Sequence, residues 1–133
     1  MTVPSVIELM EKAEDLTCQA DTDDLKAVSS LGEGWTGHEA IAIAIYCALK
    51  YANDFEKCLI ASVNHDGDSD STGSVAGNIL GAFLGVSAIP EKFLKQLEIA
   101  HVITDVADDL YTHYQEVGDD LWTAKYIMNN YKI

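Results

Sequence analysis

The sequence predicts an all-α fold, and three observations carry that expectation. Apolar residues recur at helical spacing along most of the 133 residues. The most apolar stretches are rich in alanine and glycine, where a strand would favour β-branched side chains. Residues suited to helix starts, Pro4, Asp54 and Pro90, stand at the heads of periodic runs. An apolar fraction of 48% supports an ordered domain, and 133 residues suffice to bury a core, so a single domain over residues 1–133 is expected.

Taken in order, Pro4 opens a first amphipathic helix in which Val6, Leu9, Met10, Ala13 and Leu16 share a face, ending near Cys18. A short acidic helix follows, then a glycine loop, Gly32-Glu33-Gly34-Trp35. A second long helix is expected over 38–51. Its AIAIAIY run alternates like a strand, but alanine is the best helix former and a poor strand former, so a buried helix is the better reading. Asp54 caps the next helix, which reaches Val63.

Gly73, Gly77, Gly81 and Gly85 then recur every four residues among Val75, Ile79, Leu80, Phe83 and Leu84. Four glycines in one helix cost roughly 3–4 kcal/mol of propensity relative to alanine. Close approach of another helix explains that cost, with the small row Ala40, Ala44 and Ala48 as the matching stripe. Pro90 opens a further helix that breaks or bends before a helix ending near Tyr114, and a last short helix is expected over 119–130, with Leu121, Trp122, Tyr126 and Ile127 apolar. Six or seven helices result.

The net charge of −14, from 22 acidic and 8 basic residues, argues against nucleic acid and against anionic membrane surfaces. The longest apolar stretch, 75–89, is too short to span a bilayer. Three cysteines, Cys18, Cys47 and Cys58, form no C-x-x-C pair, and no secretory leader opens the chain, so a reduced cytoplasmic location is expected. Cys47 and Cys58 read as buried small hydrophobes.

The chemistry is concentrated in His65-Asp66-Gly67-Asp68-Ser69-Asp70-Ser71-Thr72-Gly73. Three carboxylates alternate immediately before a helix and repel one another. A helix N-terminus relieves part of that repulsion, and a hard divalent cation relieves more, with hydroxyl oxygens available to complete its shell. A plain capped helix start is the simpler alternative. The alternation of three aspartates with hydroxyls favours the cation. An EF-hand is excluded: a loop starting at Asp66 needs glycine at 71 and glutamate at 77, where Ser71 and Gly77 stand.

Three blocks, GEGWTGHEAIAIAIYCALKY, NHDGDSDSTGSVAGNILGAFLG and AIPEKF, resemble in order and spacing the C-terminal part of the ADP-ribosylglycohydrolase family. The resemblance covers residues 24–110 and leaves 111–133 as a C-terminal helical extension. It implies a compact multi-helix ADP-ribosylglycohydrolase-like bundle, truncated, around a two-magnesium centre. It implies hydrolysis of the glycosidic bond between ADP-ribose and a modified side chain. The family's D-[ST]-D-[ST] ligands fall on Asp68, Asp70 and Ser71, which would hold Mg²⁺, with Mn²⁺ as a substitute. Asp66 stands beside them with a role toward the substrate or in supporting the ligands, and Glu33 and Trp35 would line the cleft; Trp35 is equally plausible as a core anchor. Bound cations would also let a diphosphate enter so acidic a protein.

One departure stands out. The family's other ligands lie in a T-D-D-T motif preceded by a glycine-rich segment, and neither stands in the expected place. Thr22-Asp23-Asp24 copies three letters, but Leu25 replaces the last hydroxyl, so it reads as a cap or a solvated helix face. The implied enzyme is therefore half present, and no catalytic residue is assigned. ADP-ribose or an ADP-ribosylated protein is the implied ligand. A homodimer, or a separate polypeptide bearing the missing half, is the implied partner, and a non-catalytic binding or association module is the alternative. Among the histidines, His65 abuts the aspartates and either supports them or makes a structural hydrogen bond; His38, His101 and His113 read as helix-surface or cap residues. Thr72 and Ser74 read as first-turn helix residues, the Thr72 hydroxyl within reach of the cation shell.

Overall fold

The computed structural model describes residues 4–19 and 22–112. The expected helix over 119–130 and His113 lie outside the described residues. Among those described, the chain is all-α, with seven α-helices and no strand. It divides into two compact units, Met1–Glu91 and Lys92–Ile133.

In the first unit, α1 (Val6–Thr17) is started by a capping box: the Glu8 N–H donates to Ser5 Oγ at 3.3 Å, and the Ser5 N–H donates to Glu8 Oε2 at 2.7 Å. Pro4 thus lies just before the cap instead of in the first turn. Asp23 caps α2 (Asp24–Leu31), accepting from the Lys26 N–H at 3.1 Å. Asp54 caps α4 (Phe55–Val63) as expected, accepting from the Lys57 N–H at 3.0 Å.

Helix α3 (Gly37–Lys50) is the centre of the unit and packs against α1, α2, α4 and α5. Its Ala42, Ile43, Ala44, Tyr46 and Cys47 are fully buried, so the alternating AIAIAIY run is a helix apolar on nearly every side. Cys47 and Cys58 are buried free thiols.

Helix α5 (Ser69–Leu84) lies against both α3 and α4. Its glycines serve a different neighbour from the one expected. Gly73, Gly77 and Gly81 face Val63, Leu59 and Phe55 of α4, not the alanine row of α3. They make room for large side chains, not for a second backbone. The fit is tightest at Gly73, where an added Cβ would stand 2.6 Å from Val63 Cγ1. Gly85, at φ +78°, ends the helix in the left-handed region and leads into a 3-10 turn, Val86–Ala88.

A short helix α6 (Glu91–Lys95) starts directly after Pro90. The second unit carries α7 (Ala100–Tyr111), separated from α6 as the expected break requires. No helix among the described residues is long and apolar enough to cross a membrane.

Candidate metal centre

Two loops of the first unit meet. One, residues 32–36, joins α2 to α3; the other, residues 64–68, joins α4 to α5. The Asp68 N–H donates to the Glu33 carbonyl at 2.7 Å, and there is no space between the strands of chain at that point. A Cβ on Gly67 would fall 1.8 Å from the Glu33 oxygen. Gly34, at φ +82°, is buried against Thr72 and the Asp68 carbonyl. Gly34 and Gly67, one from each motif, are therefore explained by one contact: the two loops meet where a side chain would hold them apart.

Asp68 is the N-cap of α5, its carboxylate facing the Ser71 N–H at 3.4 Å. Asp70 and Ser71 follow in the first turn of the same helix. Hydrogen bonding with the Asp70 side chain, then with the Ser71 side chain, holds the Asp68 carboxyl below the usual carboxylate range, against the effect of burial. Asp68, Asp70 and Ser71 thus stand together at the head of one helix. Carboxylate and hydroxyl oxygens suit a hard divalent cation. Among the described residues no three His, Cys, Asp or Glu side chains converge as a metal cage.

Beneath the aspartates, Thr72 is fully buried. Its hydroxyl donates to the Ser62 carbonyl at 2.6 Å, and His65 Nε2 lies 2.9 Å from the same hydroxyl oxygen. The Gly67 N–H donates to His65 Nδ1 at 3.1 Å. A hydroxyl serving the loop from inside the fold displaces the expectation that Thr72 reaches the cation.

A cleft of about 620 Å³ opens beside the clasped loops, with Leu25, Val28, Glu33, Val63, His65 and Asp66 among its lining. Asp66 accordingly faces open space. Trp35 is 66% exposed, so it is no core anchor, and its indole Nε1 donates to Glu33 Oε2 at 3.0 Å. His38 sits at the start of α3 beside the Thr36 hydroxyl, and His101 is exposed on α7.

The Thr22-Asp23-Asp24 run is a cap only in part. Asp24 accepts from Tyr46 Oη at 2.8 Å, Tyr51 Oη at 2.6 Å and Lys50 Nζ at 2.8 Å, while Lys50 also donates to the Thr22 carbonyl at 2.6 Å. Burial raises Asp24, but these three donors outweigh it and hold the carboxyl low; burial pushes the Tyr46 phenol up to about 12. Sequence reasoning missed this knot, although Tyr46, Lys50 and Tyr51 at i, i+4 and i+5 place three donors near the same end of α3.

Comparison with known proteins agrees with the motifs. The ADP-ribosylglycohydrolase family profile matches residues 2–120, a wider span than the sequence blocks suggested. Human ADP-ribosylhydrolase ARH3 is 29% identical over 117 residues, covering 80% of this chain and 32% of the human protein. An uncharacterized protein of Archaeoglobus fulgidus is 32% identical over 109 residues, 82% of this chain and 35% of that one. The ADP-ribosyl-[dinitrogen reductase] glycohydrolase of Rhodospirillum rubrum is 47% identical over 45 residues, 34% of this chain and 15% of its own length. No solved structure gives a significant match. The chain spans about a third of the length of human ARH3 and of the archaeal protein. With a family profile covering nearly all of it and the aspartate motif set at the head of α5, the chain belongs to the ADP-ribosylglycohydrolase family.

Proposed function

We propose that this chain supplies the aspartate half of a magnesium centre that hydrolyses an ADP-ribosyl linkage. The observation that carries the reading is the position of Asp68 as N-cap of α5, with Asp70 and Ser71 in the first turn behind it, on a loop seated against residues 32–36. These three residues would hold Mg²⁺ or Mn²⁺ through oxygen. When bound, such a cation polarises the oxygens of ribose and water. The chain's own contribution is placement. Glu33 and Gly67 fix the loop and Thr72 anchors it to α4; Asp66 lines the adjoining cleft and Trp35 is exposed on the facing loop, where each would meet an ADP-ribosyl group approaching the cation. Two carboxylates and a hydroxyl leave much of the shell to water, so binding by this chain is weak and ADP-ribose release negligible. A second ligand set completes the centre.

The test compares thermal midpoints with and without millimolar Mg²⁺ or Mn²⁺, for the native sequence and for Asp68→Asn with Asp70→Asn. Asparagine caps a helix as well as aspartate does, so the variant separates cation binding from capping. The expected result is a rise in midpoint that the double variant abolishes. Equal midpoints in the native chain reject the cation. Ready release of ADP-ribose from a modified protein by the purified chain rejects the half-centre.

The absence of a three-carboxylate cage among the described residues favours a second reading, a binding or association module without catalysis. Leu49, Ile79 and the 71% exposed Phe83, around an apolar hollow of about 230 Å³ between α3 and α5, support association with a second copy or with a polypeptide bearing the other ligands.

A further inference from the structure

The hydrogen-bond partners of the His65 ring select one tautomer. The Gly67 N–H can only donate, so Nδ1 accepts and carries no proton. The ring hydrogen therefore sits on Nε2, which faces Thr72 Oγ1 at 2.9 Å and the Ser62 carbonyl at 3.1 Å. Thr72 has one hydroxyl hydrogen, and its shortest contact is to the Ser62 carbonyl at 2.6 Å. The bonds run in one direction: the Gly67 N–H donates to Nδ1, Nε2–H donates to Thr72 Oγ1, and the Thr72 O–H donates to the Ser62 carbonyl. One imidazole thus ties the middle of the loop to the first turn of α5 and the last turn of α4.

We propose that His65, as its Nε2–H tautomer, is a positioning residue that presents Asp68 for cation binding by holding Gly67 against the Glu33 carbonyl. This rests on the cation reading of the preceding section. His65 itself touches none of the three proposed ligands through the bonds above; it acts through the backbone of Gly67 and Asp68. Residue 67 has no side chain to wedge the loop in place, and Asp68 makes its amide bond to Glu33 one residue later. Without the imidazole, the loop loses its tie to the interior, and the Asp68–Glu33 bond is left with nothing behind it to hold it closed. Partners that orient a ligand of this kind change metal affinity by roughly 10–100-fold when removed.

The full chain, uniformly ¹⁵N-labelled, is compared with His65→Ala, His65→Gln and His65→Asn. Ring ¹⁵N correlations in the native chain should show the Nε2–H tautomer. In His65→Ala, amide exchange at Gly67 and Asp68 should quicken about 10-fold or more while the amides of α3 are unchanged, and the Mn²⁺ concentration for half-maximal broadening of the loop signals should rise about 10-fold or more. His65→Gln keeps a donor for Thr72 but no acceptor for Gly67, and should show the same loop losses even where the alanine variant folds poorly. His65→Asn offers an oxygen in place of Nδ1 and should restore Gly67 protection. An Nδ1–H tautomer overturns the proposal. So does unchanged exchange at Gly67 and Asp68, or a loss spread evenly over the α3 amides. A native chain blind to Mn²⁺ removes the cation reading instead, and the exchange data still decide whether His65 positions the loop.

Discussion

Asp24 shows how far a single carboxylate can organise its surroundings. Two phenols and an ammonium end on its two oxygens, and Tyr46, one of the donors, is wholly buried. Removing the acceptor strands a buried hydroxyl, so Asp24→Ala should lower the unfolding free energy by about 2–3 kcal/mol at neutral pH. The sign with pH follows from its depressed folded-state value. Its contribution is full above the ordinary aspartate range, near 4, and is lost as pH falls through the lower folded-state value. Urea unfolding of both proteins at pH 7 and pH 3 measures this: the gap between them should narrow at the acid end, and a constant gap would show that the charge of Asp24 contributes nothing. At this scale the sequence was partly legible. Capping by Asp23 and Asp54 follows from local rules, since a cap bonds to an amide three residues away. The Asp24 knot depends on α2 meeting α3 across 22 to 27 positions, which no local rule reaches.

Elements were more legible than residues because helical periodicity is a property of each segment alone. The boundaries of α3, α4 and α5 fall within a residue or two of helix-forming and helix-stopping signals. The partner of the glycine row was not legible. Small residues announce close packing without naming the neighbour, and two helices flank α5. The geometry now ranks the glycines. Around Gly81 the nearest atom to an added Cβ is Phe55 Cε2 at 3.8 Å, an ordinary contact, so Gly81→Ala should stabilise by about 0.5–1 kcal/mol through helix propensity. At Gly67 the obstacle is the Glu33 backbone itself, at 1.8 Å, and Gly67→Ala should destabilise by about 2–3 kcal/mol as the two loops part. Chemical denaturation of the two variants gives opposite signs if the spacing of α4 and the two loops is as described. A destabilised Gly81→Ala variant would mean that α5 packs on a different face, and an unperturbed Gly67→Ala variant would mean that the two loops do not meet.

Across the first unit, the buried groups titrate on the alkaline side. Burial pushes the Cys58 thiol up to about 11, and burial and then its neighbour Cys58 push Cys47 up to about 12. Tyr46 joins them at about 12. Each is held neutral by the fold, so each contributes stability below its unfolded-state value that is lost as pH rises through its folded-state value. The denatured chain begins to ionise these thiols near pH 9, and stability should then fall by about 1.4 kcal/mol per pH unit for each. Denaturation midpoints that are level from pH 7 to 8.5 and decline between 9 and 11 would agree; Cys47→Ala with Cys58→Ala should flatten the decline. The family itself was legible from three motif blocks, because backbone contacts such as Gly67 on Glu33 impose fixed letters at fixed spacing. The cleft beside them was not, since Leu25 and Val63 belong to different helices and carry no motif.

The seam between the two loops has an optical consequence. Trp35 sits two residues from the Glu33 carbonyl that receives the Asp68 amide, and its indole is bonded to the Glu33 carboxylate. A displacement of the aspartate backbone must pull on Glu33, and through it on an indole that faces solvent. The chain thereby carries its own fluorophore at the rim of the aspartate motif, and the hydration of one tryptophan becomes a gauge of how firmly the two motifs are joined.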